Sequence, residues 1–195
     1  MVSIIIPYNE DRGYLQLCKE SIEAQTYPNI ELIPSYSPGT CGHNFNRGLE
    51  KATGEFVKYV DEDDWLPPDS IENLVSGIGD SPWMCANAWN VDKTVKNITK
   101  SVHLDFDSTL KICGIQGGTT LFRTEILREI GGMDESLVVG EEWDMYLRLM
   151  LKGYLPGYVD KEVYYYRRWT GSKSVIHSRE WRDEQKNLIR ARYES

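Results

Sequence analysis

The sequence predicts an α/β protein built on a Rossmann-like, open and mostly parallel sheet flanked by helices. Three observations point there. Short apolar runs alternate with segments of helical periodicity, the first runs are continuous rather than alternating in polarity, and glycine or proline marks most of the joins. Val2 to Ile6 is the first strand, ended by Pro7, and Tyr14 to Gln25 carries Leu15, Cys18 and Ile22 at helical spacing. Ile30 to Ile33 makes a second strand, His43 to Ala52 a second helix closed by Gly54, and Phe56 to Val60 a third strand. A third helix starts with Asp69 as N-cap and Glu72 three residues on, with Ile71, Leu74, Val75 and Ile78 along one face.

Beyond Pro82 the pattern loosens. Trp83 to Trp89 reads as a strand with Val95 to Ile98 as its partner, and Gly117 to Phe122 as another strand. Thr124 to Ile130 is a short helix ended by Gly131-Gly132, and Glu141 to Lys152 a longer one ended by Gly153. Tyr164 to Arg168 is the last strand, and Ser178 to Tyr193 a charged terminal helix.

At 195 residues without repeats or low-complexity stretches, the chain reads as one domain, 1–195. A net charge of −8 argues against nucleic acid or an anionic membrane as the main partner, because both reward basic patches. The apolar run at Met1 to Pro7 is too short for a signal peptide or membrane span, so the expectation is a cytoplasmic protein with no transmembrane segment. Cys18, Cys41, Cys85 and Cys113 are scattered, which suggests neither zinc nor a disulfide framework. Cys18 and Cys85 are expected in the core and Cys41 in a glycine-rich loop.

Asp61-Glu62-Asp63-Asp64 follows the third strand directly. Four acids at the end of a buried strand call for a cation, and oxygen ligands favour Mg²⁺ or Mn²⁺. Asp61 and Asp63, or Asp63 and Asp64 if the chain turns, are placed to share one ion, with a solvated acidic turn as the plainer alternative. Ligands of open α/β sheets bind at the carboxyl ends of strands, and Pro7-Tyr8-Asn9 sits at another such end. His103, Asp105 and Asp107 alternate like ligands on a strand face, but no long apolar strand anchors them, so Ser101 to Ser108 reads as a polar loop or edge.

The segments Val2 to Asn9, Asn46-Arg47-Gly48-Leu49, Ala52 to Phe56 and Asp61 to Asp64 resemble the nucleotide-sugar half of family 2 inverting glycosyltransferases with the GT-A fold. Gly117-Gly118, Leu121 to Arg123, Gly131 to Asp134, Gly140 to Leu149 and Tyr166-Arg167-Arg168 resemble that family's acceptor-side pattern, in the same order. The chain departs from it at Pro34 to Thr40, where the family has an Asp-Asp-Gly-Ser-like turn. It also departs in its shortened first loop, at Phe45 in place of an arginine and at Trp169 in place of a histidine.

The resemblance implies a nucleotide-sugar half at 1–80 and an acceptor-side α+β half at 81–195. It further implies a nucleoside-diphosphate sugar as donor, and a glycan, lipid-linked or other hydroxyl acceptor in polysaccharide biosynthesis. Metal and diphosphate fall to Asp61 and Asp63, with Asp64 as a substitute ligand. Glu62 is counted on the donor side by position, its side chain expected to point away. Pro7, Tyr8 and Asn9 would line the nucleoside pocket, with Asn46 and Arg47 nearby and Arg47 reaching a phosphate. Glu142 matches the family's catalytic base, ionised at a helix N-terminus, and Glu141 is the fallback. Asp144 is set to pair with Arg148 four residues on and reads as structural if not as the base. Trp143 is the candidate sugar-stacking platform, and His177 with Arg167 and Arg168 a candidate lid over the diphosphate. Two rival readings remain: a non-catalytic sugar-nucleotide binder, and a nucleotidyltransferase. The second would want a basic, glycine-rich loop where Pro7 to Asp11 is acidic.

Overall fold

In the computed structural model, which describes residues 1–93 and 96–194, the first apolar run forms β1 (Val2–Tyr8) at the interior of the sheet. The chain then alternates α1 (Leu15–Glu23), β2 (Ile30–Tyr36), α2 (Cys41–Lys51), β3 (Phe56–Tyr59) and α3 (Ser70–Ile78). Both neighbours of β1, β2 and β3, run parallel to it. Strand alternation sends Val2, Ile4 and Ile6 into one core with Cys18 and Ile22 of α1 and Ile71 and Leu74 of α3. Ile5 points the other way, into a second core with Phe45 and Leu49 of α2. Burial on both faces is why the run is continuously apolar.

The second part continues the same sheet with β4 (Trp83–Val91), β5 (Lys96–Thr99), α4 (Phe106–Lys111), a 3-10 turn at Gly117–Thr119, β6 (Leu121–Arg123), α5 (Thr124–Glu129), α6 (Glu141–Leu151), β7 (Pro156–Arg167), α7 (Lys173–Ile176) and α8 (Arg179–Ala191). The strand order is β2-β1-β3-β6-β4-β5, with β7 parallel to β4 on its other edge. β6 is the antiparallel link that joins β3 to β4.

The structure differs from the sequence pattern at several elements. β2 runs through Pro34 to Tyr36, and an edge strand tolerates that proline. Gly117 to Phe122 is not one strand, because the 3-10 turn occupies its first half. β7 begins eight residues earlier than expected, its early part masked by Asp160, Lys161 and Glu162, and its register with β4 shifts around Asn87. Ser101 to Ser108 runs into a helix, α4, whose N-cap Asp105 accepts from the Ser108 N–H at 2.9 Å. Asp69 stands at the N-cap of α3 but makes no side-chain cap; Glu72 instead accepts from the Thr26 hydroxyl at 2.7 Å. Cys41 is the first residue of α2 rather than part of a loop, and Val95 lies outside the described residues.

Lys58 breaks the polarity of β3 without breaking the strand. Fully buried, its Nζ donates to the Gly118 carbonyl and, at 3.4 Å, to the Thr120 carbonyl, and it lies 5.4 Å from the centre of the Tyr164 ring. Burial pulls this amine down to about 7, against the charge of Asp61, which pushes in the other direction. Gly118 permits the arrangement, since a Cβ there would stand 2.1 Å from the Tyr164 ring.

Candidate active site

Because β1 and β3 are parallel neighbours, Tyr8 and the acids after Tyr59 leave the sheet at the same end. They border a cavity of about 410 Å³. Pro7, Tyr8 and Asn9 line it from β1, Asp61, Glu62 and Asp63 from the turn after β3, and Gln116, Gly117 and Gly118 from the link into β6. Glu141 and Glu142 enter from the first turn of α6, and Trp169, Arg182 and Lys186 from the C-terminal segment. Residues more than a hundred positions apart thus share one cleft.

The acidic turn divides by side chain. Asp61 and Asp63 line the cleft, and Asp63 Oδ2 accepts from the Trp169 indole N–H at 2.7 Å. Asp64 is 1% exposed and does not line the cleft; Oδ1 accepts from the Arg167 N–H at 2.6 Å, and the Tyr164 hydroxyl is the carboxylate's other polar neighbour. Burial, then the charges of Asp63 and Asp61, push its carboxyl well above the usual range. That makes it an anchor for β7 rather than a ligand facing the cleft. Glu62 does not point away: it lines the cleft, paired with Arg12, and burial raises its carboxyl against the pull of that guanidinium.

At α6, Glu141 is buried and Glu142 half-buried. A Cβ on Gly117 would stand 2.1 Å from the Tyr59 hydroxyl and 3.1 Å from Glu142 Oε1, so only glycine lets this backbone lie against both groups. Asp144 points away from the cleft, 1% exposed, held by Arg148 at 2.8 Å, the Tyr193 hydroxyl at 2.7 Å and Arg192 at 3.2 Å. Trp143 is 3% exposed, with its N–H on the Thr109 carbonyl at 2.7 Å and its ring among Leu137, Leu147 and Ile189. An indole so enclosed offers no open face for a sugar. Trp143 and Trp169 both border the cleft, but Trp169, half-buried and edge-on to Tyr14, is the one whose indole N–H bonds a cleft acid.

Asn46 and Arg47 do not reach the cleft. Asn46 is bonded through both side-chain atoms to Met133 and through Nδ2 to Glu135, at 2.9 Å each, which fixes the Gly131-Gly132-Met133 turn. Arg47 contacts the Tyr36 carbonyl at 3.3 Å. Arg167 packs over Tyr14 and Trp65 and donates to the Asp63 carbonyl at 2.6 Å, so it braces the acid turn. His177 stacks on Trp181. Asn44, Arg182 and Lys186 line the cleft without having been singled out in the sequence. The i,i+4 spacing of Arg182 and Lys186 on α8 was visible, but a charged helix face ordinarily reads as solvated.

Among the described residues no group of three or more His, Cys, Asp and Glu is arranged to hold a metal ion. Two cleft carboxylates fit a different mode, in which Mg²⁺ or Mn²⁺ is held by one or two protein oxygens, waters and substrate phosphates. Among those residues, too, no helix is long and apolar enough to cross a membrane.

Residues 39–131 match the family model Glycosyl transferase family 2. EpsH of Bacillus subtilis (strain 168) is 30% identical over 105 residues, covering 40% of this chain and 30% of that protein. The glycosyltransferase GlyA of Streptococcus pneumoniae serotype 4 is 28% identical over 103 residues, 40% of this chain and 15% of its own length. The chain therefore spans less than a third of these relatives. The solved S. aureus TarS 1-349 in complex with UDP-GlcNAc superposes with a TM-score of 0.76 at 18% identity, over 96% of this chain and 65% of that one. The fold is the GT-A fold, and residues 39–131, just under half of the chain, are the part that is similar to family 2 glycosyltransferases.

Proposed function

We propose that this protein is a metal-dependent inverting glycosyltransferase, which moves a sugar from a nucleoside diphosphate onto a hydroxyl acceptor by direct displacement. The observation that carries the reading is that Asp61 and Asp63 of one half and Glu141 and Glu142 of the other face a single cleft. A bound Mg²⁺ or Mn²⁺ would neutralise charge on the departing diphosphate. Asp61 and Asp63 would hold it, and the Trp169 indole would fix the Asp63 carboxylate in position. Arg182 and Lys186 bring positive charge to a cleft otherwise dominated by acids, which suits a diphosphate.

Glu142 accepts the acceptor hydroxyl's proton as that oxygen attacks the anomeric carbon and the sugar–diphosphate bond breaks. Its place in the first turn of α6 favours the ionised form it needs beforehand. Gly117 keeps the space before it open. The TarS complex with UDP-GlcNAc makes a uridine nucleotide sugar the first donor to assay.

The test is release of nucleoside diphosphate from a panel of nucleotide sugars, with and without Mn²⁺, in the presence of hydroxyl acceptors. Release that depends on the metal and is lost in Glu142→Gln supports the reading. Binding without turnover across the panel would favour the non-catalytic binder instead.

A further inference from the structure

Asn44 lies at the start of α2, is fully buried, and borders the cleft beside Tyr8 and Cys41. Both of its amide protons are committed: Nδ2 donates to the Tyr8 carbonyl and to the Ser37 carbonyl, each at 3.0 Å. Two carbonyl acceptors fix the amide's orientation, because a flipped amide would set oxygen against oxygen. Oδ1 is thus the acceptor left over, buried and without a hydrogen-bond partner among the described residues. A buried acceptor in that state is unfavourable until a donor reaches it.

The same strand ends carry two aromatic rings. Tyr8 and Tyr36 stand 5.3 Å apart at 45°, and Tyr36 is 55% exposed at the tip of β2. Of the two, Tyr8 lines the cleft and offers a ring to a planar group there, and the acceptor beside it suits a planar group with an N–H on its edge.

Resting on the nucleotide-sugar reading above, we infer that Asn44 Oδ1 accepts the ring imide N–H of a uracil or thymine base and so selects the donor nucleotide. One leftover acceptor, flanked by carbonyls already engaged, matches one ring donor. Cytosine and adenine present a bare ring nitrogen at that edge, and oxygen would face a lone pair. Guanine presents a ring N–H and an adjacent amino group, two donors for one acceptor. Asn44 is then a specificity residue on the donor side, remote from the proton transfer at Glu142.

Calorimetric titration of the full chain with Mn²⁺ tests this, using UDP, dTDP, CDP, GDP and a UDP methylated at N3. The expected result is that UDP or dTDP binds, with CDP, GDP and N3-methyl-UDP weaker by about tenfold or more. Asn44→Ala should erase the difference between UDP and CDP; if that variant does not fold, the ligand series on the native chain decides alone. Equal affinity for UDP and N3-methyl-UDP, or a preference for GDP or CDP, would overturn the inference while leaving the nucleotide-sugar reading intact. No binding by any nucleotide would overturn that reading and the inference with it.

Discussion

Two acidic runs border the cleft, Asp61 to Asp64 after β3 and Glu141 to Asp144 at the start of α6, and both divide in the same way. Each sends its first members to the cleft and buries its last as an anchor: Asp64 on the Arg167 N–H, Asp144 on Arg148, Arg192 and Tyr193. The anchors differ in their partners. Asp144 has two guanidinium groups and a hydroxyl, so its charge is compensated where it lies. Asp64 has the Arg167 N–H and the neighbouring Tyr164 hydroxyl but no cation, and burial with the charges of Asp63 and Asp61 pushes its carboxyl towards the neutral form. An acidic run is therefore not one kind of site. Which member is chemical and which is structural follows from the company each carboxylate keeps.

The largest effect expected from this division is at Glu142. Glu142→Gln should lower turnover by about 10²- to 10⁴-fold while leaving nucleotide affinity within about twofold. Steady-state kinetics beside calorimetry checks it, and an unchanged rate would pass the role to Glu141. Asp144→Ala comes next. It leaves two guanidinium groups without their buried carboxylate and should cost about 3 kcal/mol of unfolding free energy in urea.

Lys58 extends the comparison to a buried cation. Its folded value of about 7 lies below the 10.5 of the free side chain, so between those values the unfolded chain binds more protons. Stability should rise with pH across that window, by up to about 1.4 kcal/mol per pH unit, and Lys58→Met should flatten the rise. Urea titrations at pH 7 to 9 on both proteins measure it. The smallest effect is at Asp64. Asp64→Asn keeps the oxygen bonded to the Arg167 N–H and removes a carboxyl already held towards its neutral form. It should cost less than about 1 kcal/mol, whereas a loss as large as that of Asp144→Ala would erase the distinction between the anchors.

The sequence made the parallel half legible because β1 and β3 are buried on both faces and so are written in continuous apolar residues. The second half was less so. β7 carries charge in its early turns, and the 3-10 turn at Gly117–Thr119 follows from close approach to Tyr59 and Tyr164, which no local pattern records. Asp61 and Asp63 could be named because a run of acids at a strand end is a local signal, whereas Glu141 and Glu142 stood out through the family resemblance, since acids in a helix's first turn are common. Asn46 could be misread because a motif residue on α2 looks the same whether it faces a ligand or pins Met133. Trp143 and Trp169 show the same limit, since only packing separates the enclosed indole from the one that bonds Asp63.

The most direct test of the two-run site is the melting temperature with UDP, GDP, dTDP and CMP, each with and without Mn²⁺, for the native chain, Asp63→Ala and Glu142→Gln. The account predicts a manganese-dependent rise with one of the diphosphates that Glu142→Gln retains and Asp63→Ala loses. A rise unchanged in Asp63→Ala, or no rise in the native chain with any of them, would contradict it.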